Sequence, residues 1–214
     1  MMKLLSVNVG LPREVIANGR ATTTGIFKQP IANRVRVRSL NIDGDRQADL
    51  TVHGGVDKAV YAYPHEHYAH WERELAPRKF APGQFGENLT TSGLLEDDVR
   101  IGDLFAIGSA RFEVSQPRVP CFKLALRMEM PQFPKIFLQS QRTGFYLRVV
   151  QEGEIGAGDA ILRITTDPRQ MTVREIFEVA YGESFDRSAI QRAAAMPALA
   201  ASWREMFAER LAGE

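Results

Sequence analysis

The sequence predicts a mainly β fold with additional α-helices: a β-barrel with helical insertions, followed by a small three-helix C-terminal unit. Two observations predict this class. Up to about residue 165 the chain holds many short β-rich runs separated by Gly, Asp and Pro, which is typical of barrels and sandwiches. After Asp167-Pro168 the chain becomes Ala-rich with helical spacing. We therefore predict two domains, residues 1–166 and residues 167–214.

The predicted strands are short runs of alternating or β-branched residues. In one run Val35 and Val37 alternate with Arg34, Arg36 and Arg38, a pattern that predicts a strand with one solvated face. In chain order the runs are KLLSVNVG, NRVRVRSLNI, KAVYAY, DLFAIG, ARFEVSQ, GFYLRVV and DAILRI.

Helices are predicted at two places within the barrel and three places after it. Pro64 precedes HEHYAHWERELA, and proline favours the first position of a helix. CFKLALRM followed by PQFPKIFLQSQ predicts a short helical pair. In the C-terminal unit, Thr172 and Glu175 have the spacing of a capping box, and Gly182 ends that helix. SFDRSAIQRAAAM and PALAASWREMFAERL supply the remaining two helices.

The composition limits the partners and the compartment. A formal net charge of +1 gives no electrostatic support for a nucleic-acid or membrane partner, so we predict neither. The start of the chain lacks the continuous apolar region of a signal peptide, and no run approaches the roughly 18 apolar residues of a membrane span. The single cysteine excludes an intrachain disulfide and fits a reducing compartment. We predict a cytoplasmic protein.

That cysteine, Cys121 in QPRVPCFKLA, is either a small buried core residue or a working thiolate. Its neighbours Arg118 and Lys123 are cations, which favour the thiolate form that binds metals or attacks electrophiles. If Cys121 also opens a helix, the helix dipole adds to this effect. The flanking residues Pro117 and Pro120 restrict the chain and suit a sulfur held at a pocket wall.

A second candidate site lies in ADLTVHGGVDKAVYAYP. The paired Gly54 and Gly55 allow a ligand to approach the backbone closely or permit a positive φ, and their amides then face an anion. His53 orients a ligand or passes a proton, and Asp57 and Lys58 follow directly. The alternative is a tight turn with an exposed histidine.

Other polar residues are more ambiguous. Arg148 lies midway along an apolar strand, where its charge requires either a protein partner or a ligand such as phosphate, unless it faces the barrel exterior. Glu87 and Asn88 in GQFGENLTTSG shape either a pocket rim or a turn. A further group, His65, Glu66, His67 and His70, lacks an i, i+4 histidine pair, so a solvated helix face is predicted rather than a zinc site.

Several of these stretches together resemble a known family. GIFKQPI, ADLTVHGGVDKAVYAYP, FGENLTTSGL, IGD, EVSQPRVPCFKL and TGFYLRVVQEGEIGAGD occur in the order found in MOSC domains, named for the C-terminal domain of molybdenum cofactor sulfurases. The chain is most similar to the bacterial YiiM-like subgroup, in which the MOSC domain is followed by a three-helix unit. The resemblance spans roughly residues 3–164, and the combination of motifs is specific although no single one would suffice.

The resemblance implies a β-barrel with a pocket for molybdopterin, the pterin form of the molybdenum cofactor. Cys121 matches the cysteine proposed in the family as molybdenum ligand or sulfur carrier, and His53 and Arg118 match the histidine and arginine of the family motifs. YiiM-like members resemble enzymes that reduce N-hydroxylated bases such as 6-hydroxylaminopurine. A thiolate suits molybdenum, and the cofactor phosphate would account for Lys28, Arg118 and Arg148. We therefore expect cofactor contacts from these residues and from Gly54, Gly55, Asp57 and Lys58.

These expectations define one reaction and two alternatives. In the first, Cys121 binds molybdenum, two electrons pass to an N-hydroxylated small molecule, and oxygen leaves as water with a proton from His53 or Lys58. The chain has no haem motif or dinucleotide fingerprint, so a separate electron-donor protein is expected. The alternatives are a sulfur carrier with a persulfide on Cys121 and an anion-binding module without catalysis. The C-terminal helices pack on the barrel, form a homodimer contact or dock the donor.

Overall fold

The fold is described here from a computed structural model covering residues 1–17, 19–48 and 54–213. The strands in the described residues are β1 (Lys3–Val9), β2 (Arg13–Ala17), β3 (Arg20–Thr24), β4 (Gln29–Ile31), β5 (Val35–Val37), β6 (Val60–Pro64), β7 (Leu89–Ser92), β8 (Leu104–Ile107), β9 (Ala110–Pro117), β10 (Phe145–Gln151), β11 (Gly153–Ile155) and β12 (Ile161–Thr165). The helices are α1 (Glu66–Glu74), α2 (Phe122–Met128), α3 (Phe133–Gln139), α4 (Val173–Tyr181), α5 (Arg187–Ala194) and α6 (Ala201–Ala212), and a 3₁₀ turn covers Val56–Lys58.

One eight-stranded sheet forms most of the fold, in the order β12-β8-β9-β10-β6-β7-β1-β4. Neighbouring strands are antiparallel except β6 and β7, which are parallel. The sheet curls until β1 meets the segment before β12: Lys3 and Ala160 form an isolated bridge, and Leu4 exchanges backbone hydrogen bonds with Gly158 and Asp159. The predicted mainly β class with helical insertions and a C-terminal helical unit is confirmed. Among the described residues the strand ladder itself stays open, and only this isolated bridge and the adjacent backbone hydrogen bonds join β1 to the segment before β12.

The predicted helices are present, with one difference at the start of α1. Pro64 is the last residue of β6 rather than the first helical residue, and α1 begins at Glu66 after His65. Pro64 pairs with Thr91 in the parallel ladder. Proline has no backbone N–H, and at the last residue of a strand this removes at most one hydrogen bond of the ladder. The hairpin of β2 and β3 and the short strands β4, β7 and β11 were not predicted.

The C-terminal helices share a hydrophobic core with the sheet. Phe105 and Phe112 of the sheet belong to the same buried cluster as Ile176, Trp203 and Phe207 of the helices. The seam is also hydrogen-bonded by backbone groups, from Ile101 to Met171, from Val173 to Val99 and from Ala200 to Ser115. The capping box of Thr172 and Glu175 is confirmed. The C-terminal unit is therefore packed onto the barrel, while the boundary at residues 166 and 167 stays a prediction.

A second buried cluster is aromatic and lies under α1, α2 and α3. It contains Tyr61, Tyr63, Tyr68, Trp71, Phe85, Phe133 and Phe137. Trp71 and Phe137 stack with ring centroids 5.4 Å apart, and the Trp71 indole donates a hydrogen bond to the Tyr63 hydroxyl. Such packing makes a rigid base for the loops above it.

The longest described helix, α6, has 12 residues, and no described helix is both long and apolar enough to cross a membrane.

Candidate functional site

An open pocket brings together residues from distant parts of the chain. The residues that line it are Thr24, Gly25, Ile26, Lys28, Asp45, Arg46, Gln47, Ala48, Lys58, Tyr61, Gly86, Asn88, Arg118, Cys121, Lys123 and Tyr146. The non-protein space is about 590 Å³ when the open mouth is included. The space is an open cleft, and it brings together cations, a thiol and two tyrosines, the kind of convergent polar and aromatic groups that is typical of a ligand site.

Cys121 lies in this pocket at the start of α2. It is the N-cap residue, with an extended backbone (φ −121°, ψ 174°), and its side chain makes no capping hydrogen bond. The cysteine is partly exposed and lines the pocket beside Arg118 and Lys123. The structure therefore places the thiol at a pocket wall, as one sequence alternative required, and not among core side chains.

Arg118 is the most constrained cation of the pocket. Arg118 is only 5% exposed, and its guanidinium carbon lies 4.9 Å from the ring centroid of Tyr61 and 5.4 Å from that of Phe137. Its backbone N–H donates to the Gly144 carbonyl at 3.1 Å. Nη1 is buried and has no hydrogen-bond partner among the described residues. Because a buried donor without an acceptor is costly, this atom indicates a site for an anionic ligand.

Two lysines of the pocket are buried with different consequences. Lys123 is buried in the wall, and its ammonium forms no ion pair with a carboxylate of the described residues. Lys28 instead forms a buried ion pair with Asp45, which also accepts hydrogen bonds from the Gly10 amide (2.8 Å) and from Asn88 Nδ2 (3.0 Å). Burial lowers the pKa of Lys28, and Asp45 offsets only part of this effect. The charge of Lys28 is therefore balanced within the wall.

This pair leads to a stability prediction. Replacing Lys28 by methionine should lower the free energy of unfolding by about 3 kcal/mol, because Asp45 is then left buried without a cation. Adding Asp45→Asn should recover part of that loss, since the amide keeps an acceptor for Gly10 without the charge. Urea unfolding of the two variants at neutral pH measures both values. If Lys28→Met alone were as stable as the wild type, a stabilising buried ion pair between Lys28 and Asp45 would be contradicted.

Residues 86–88, with the sequence Gly-Glu-Asn, form part of the pocket wall and its support. Asn88 lines the pocket and its Oδ1 accepts a hydrogen bond from the Tyr61 amide at 3.2 Å. Glu87 is fully buried and accepts hydrogen bonds from the Tyr68 hydroxyl, from the amides of Gly83 and Phe85, and from Thr90. Burial raises the pKa of Glu87, although these donors act in the opposite direction. The segment thus forms a pocket rim with a buried carboxyl anchor.

The turn that follows Gly54 and Gly55 contributes one residue, Lys58, to the pocket. His53 lies outside the described residues. Gly55 has φ +90°, as the paired glycines allow, and its carbonyl accepts the Lys58 amide at 3.1 Å. Lys58 lines the pocket, and burial lowers the pKa of this half-buried lysine. Gly54, Gly55 and Asp57 are not among the residues that line it.

Arg148 has protein partners and does not line the pocket. Its Nε donates to Asp57 Oδ1 at 2.5 Å, and its Nη1 donates to Glu113 Oε2 and to the Ala198 carbonyl, both at 2.7 Å. Between the alternatives for a charge on an apolar strand, the structure places a carboxylate cluster around Arg148. We therefore do not assign Arg148 or Asp57 a direct contact with a cofactor.

The histidine-containing helix is only partly solvated. His67 is buried, and its Nε2 lies 2.7 Å from Glu96 Oε2, while the other oxygen of Glu96 accepts the Gly144 amide at 2.8 Å. His65 stacks on Tyr68. The expectation of a solvated face is wrong for His67, which is a buried structural residue. In the described ranges, no group of three His, Cys, Asp or Glu residues is arranged to hold a metal ion.

Sequence reasoning missed several pocket residues. Tyr61 and Tyr146 line the pocket from β6 and β10, with ring centroids 5.4 Å apart, and Asp45 holds Lys28 from a loop. The tyrosines belong to alternating strand patterns that also describe core residues. Asp45 lies in DGDRQAD, where it is one acidic loop residue among several. The strand order of the sheet brings the two tyrosines to the pocket, and the course of the loop after β5 brings Asp45 there.

Comparison with known proteins agrees with this architecture. The MOSC domain profile matches residues 49–162, and the profile described as YiiM-like, 3-alpha helix domain matches residues 171–214. The crystal structure of YiiM from Geobacillus stearothermophilus is 40% identical and has a TM-score of 0.84, covering 99% of this chain and 100% of that one. The chain therefore belongs to the MOSC domain family, with a C-terminal domain of the YiiM-like type.

Two further relatives differ in the fraction of their own length that the match to this chain covers. The uncharacterized protein YflK of Bacillus subtilis is 39% identical over 97% of this chain and 93% of its own length. A protein named reductase from Gibberella moniliformis is 35% identical over 74% of this chain, but the match covers only 28% of that protein. Most of that reductase thus lies outside the region it shares with this chain.

Proposed function

We propose that this protein is a molybdenum-cofactor-dependent oxidoreductase that reduces N-hydroxylated compounds such as 6-hydroxylaminopurine. One observation carries the proposal. A partly exposed thiol, Cys121, shares a pocket with the buried cations Arg118 and Lys123, neither of which has a carboxylate partner among the described residues. Membership of the MOSC family and the relative named reductase support the same class of chemistry.

The pocket residues fit the pterin form of the cofactor. The cofactor carries a phosphate, and the unpartnered Nη1 of Arg118 together with the Lys123 ammonium supplies donors for such a group. A thiolate is a soft ligand that suits molybdenum, and Cys121 is the thiol in this pocket. Lys28 contributes less than the sequence indicated, because Asp45 already balances its charge. We therefore assign Cys121 to the metal and Arg118 and Lys123 to the phosphate.

The reaction consumes two electrons and two protons: R–NHOH + 2 e⁻ + 2 H⁺ gives R–NH₂ + H₂O. When bound, the cofactor supplies the two electrons, which a separate donor protein must replace. Cleavage of the N–O bond requires an acid near the leaving oxygen. Lys58 lines the pocket, and its lowered pKa makes it a stronger acid than an exposed lysine. We propose Lys58 and the sequence-predicted His53 as the proton sources.

The test is to purify the full chain from a host that makes the cofactor and to measure molybdenum and pterin in the same sample. We expect both in about equal amounts, and we expect the loaded protein to convert 6-hydroxylaminopurine to adenine when a chemical reductant is supplied. Mass spectrometry without reductant examines the alternative. An added sulfur on Cys121 with no bound pterin would contradict the proposal and identify a sulfur carrier.

A further inference from the structure

Arg148 connects three separate parts of the molecule. From the middle of β10 it donates to Asp57 in the 3₁₀ turn, to Glu113 on β9 and to the carbonyl of Ala198, in the segment between α5 and α6. The side chains of Arg148, Asp57 and Glu113 are 19%, 28% and 27% exposed, so water screens this cluster only in part. One guanidinium therefore ties the C-terminal three-helix unit to the turn that precedes β6.

Ser115 makes a second connection between the same parts. Its hydroxyl lies 2.6 Å from the Asp57 carbonyl oxygen, and its own carbonyl accepts the Ala200 amide at 3.0 Å. The segment around Ala198 is also seated tightly on the barrel. A Cβ added to Gly102 would lie 2.9 Å from the Ala198 Cβ, and the positive φ of Gly102 (+86°) equally favours glycine. The C-terminal unit is thus joined to this part of the barrel by both hydrogen bonds and close packing.

The turn transmits that restraint to the pocket. Asp57 and Lys58 are adjacent residues of a three-residue turn that is closed by the hydrogen bond from the Lys58 amide to the Gly55 carbonyl. The Asp57 side chain faces Arg148, whereas Lys58 lines the pocket that holds Cys121 and Arg118. Because the two residues are adjacent in this closed turn, we expect a displacement of Asp57 to displace Lys58 as well.

We propose that Arg148 is a positioning residue through which the C-terminal three-helix unit holds Lys58 in the wall of the anion-binding pocket. The inference rests on the proposed function, because it assigns the pocket to an anionic ligand. Arginine suits the joint, since its planar fork reaches a carboxylate, a second carboxylate and a carbonyl at once. Without it, Asp57 and Glu113 face the Ala198 carbonyl with no cation between them, and like charges separate.

The experiment compares Arg148→Met with a matched control, Arg100→Met. Arg100 also joins the barrel to the C-terminal unit, donating from Nη1 to the Gln170 carbonyl at 2.6 Å, but it forms no hydrogen bond or ion pair with the described residues 54–58. Both substitutions should lower the melting temperature. Only Arg148→Met should speed hydrogen exchange of the Lys58 amide and weaken binding of inorganic phosphate to the cofactor-free protein, by about tenfold, as for other residues that orient a binding group. Arg148→Lys should restore part of both.

The outcomes separate this inference from the proposed function. Unchanged Lys58 exchange in Arg148→Met, or an equal increase in Arg100→Met, would overturn the positioning role. Faster exchange with unchanged phosphate affinity would overturn the part of the inference that links Lys58 to the anion. If the wild type binds neither phosphate nor cofactor, the proposed function fails, while the exchange measurement still decides whether Arg148 holds the turn.

Discussion

A variant in which Cys121 is replaced by serine should lose reduction of 6-hydroxylaminopurine by about three orders of magnitude or more, as expected when a residue acting at the reacting centre is removed. Its fold should be retained, because the side chain is partly exposed and makes no capping hydrogen bond. Serine keeps the size and the helix-capping capacity of cysteine, but its hydroxyl is a hard, poorly ionised ligand. Turnover with a chemical reductant and thermal unfolding of the same preparation measure both effects.

Phe122→Ala is the matched control for disturbance of this loop. Phe122 is the next residue, is 53% exposed and does not line the pocket. The control should keep its activity and its molybdenum. If Cys121→Ser kept wild-type activity with an unchanged molybdenum content, sulfur ligation would be wrong, and the arrangement of cations around the thiol would need a different explanation.

The grouping of the thiol with two cations in one pocket was predictable because these residues are close together in the chain. Arg118, Cys121 and Lys123 lie within six residues of one another, and a change from strand to helix between them brings all three to one pocket. The same holds for the capping box of α4, which needs only two residues three apart. Local patterns of this kind carry their own geometry, so sequence alone can identify them.

Charges whose partners are far away in the chain were harder to interpret. Arg148 is 91 positions from Asp57, and Lys28 is 17 from Asp45, so neither pair has a local pattern. A lone cation on an apolar strand looks the same in sequence whether it binds a carboxylate or a phosphate. The strand order of the sheet decides between them, because it places β10 beside β9 and near the turn at residues 56–58. The buried pair of His67 and Glu96 was missed for the same reason.

Substitution of Arg118 by methionine should separate binding from stability. Loss of the guanidinium should lower the molybdopterin content of the purified protein by at least about tenfold, because the buried phosphate donor is removed. The free energy of unfolding should change by no more than about 1 kcal/mol, since replacing a buried charge by an apolar side chain is often neutral or stabilising. Pterin content and urea unfolding provide the two measurements.

The stability changes of Arg148→Met and Arg118→Met distinguish a cation that stabilises the fold from one that binds a ligand. Arg148→Met removes a cation from two carboxylates and should destabilise the fold, whereas Arg118→Met removes a cation whose Nη1 has no described protein acceptor. The methionine side chain can still pack against Tyr61 and Phe137, where the guanidinium now lies. A buried guanidinium without a protein acceptor destabilises the fold, and a bound anion would compensate for that cost. A loss of several kcal/mol in Arg118→Met would instead mean that Arg118 serves the fold, and the phosphate assignment would then have to move to Lys123 alone.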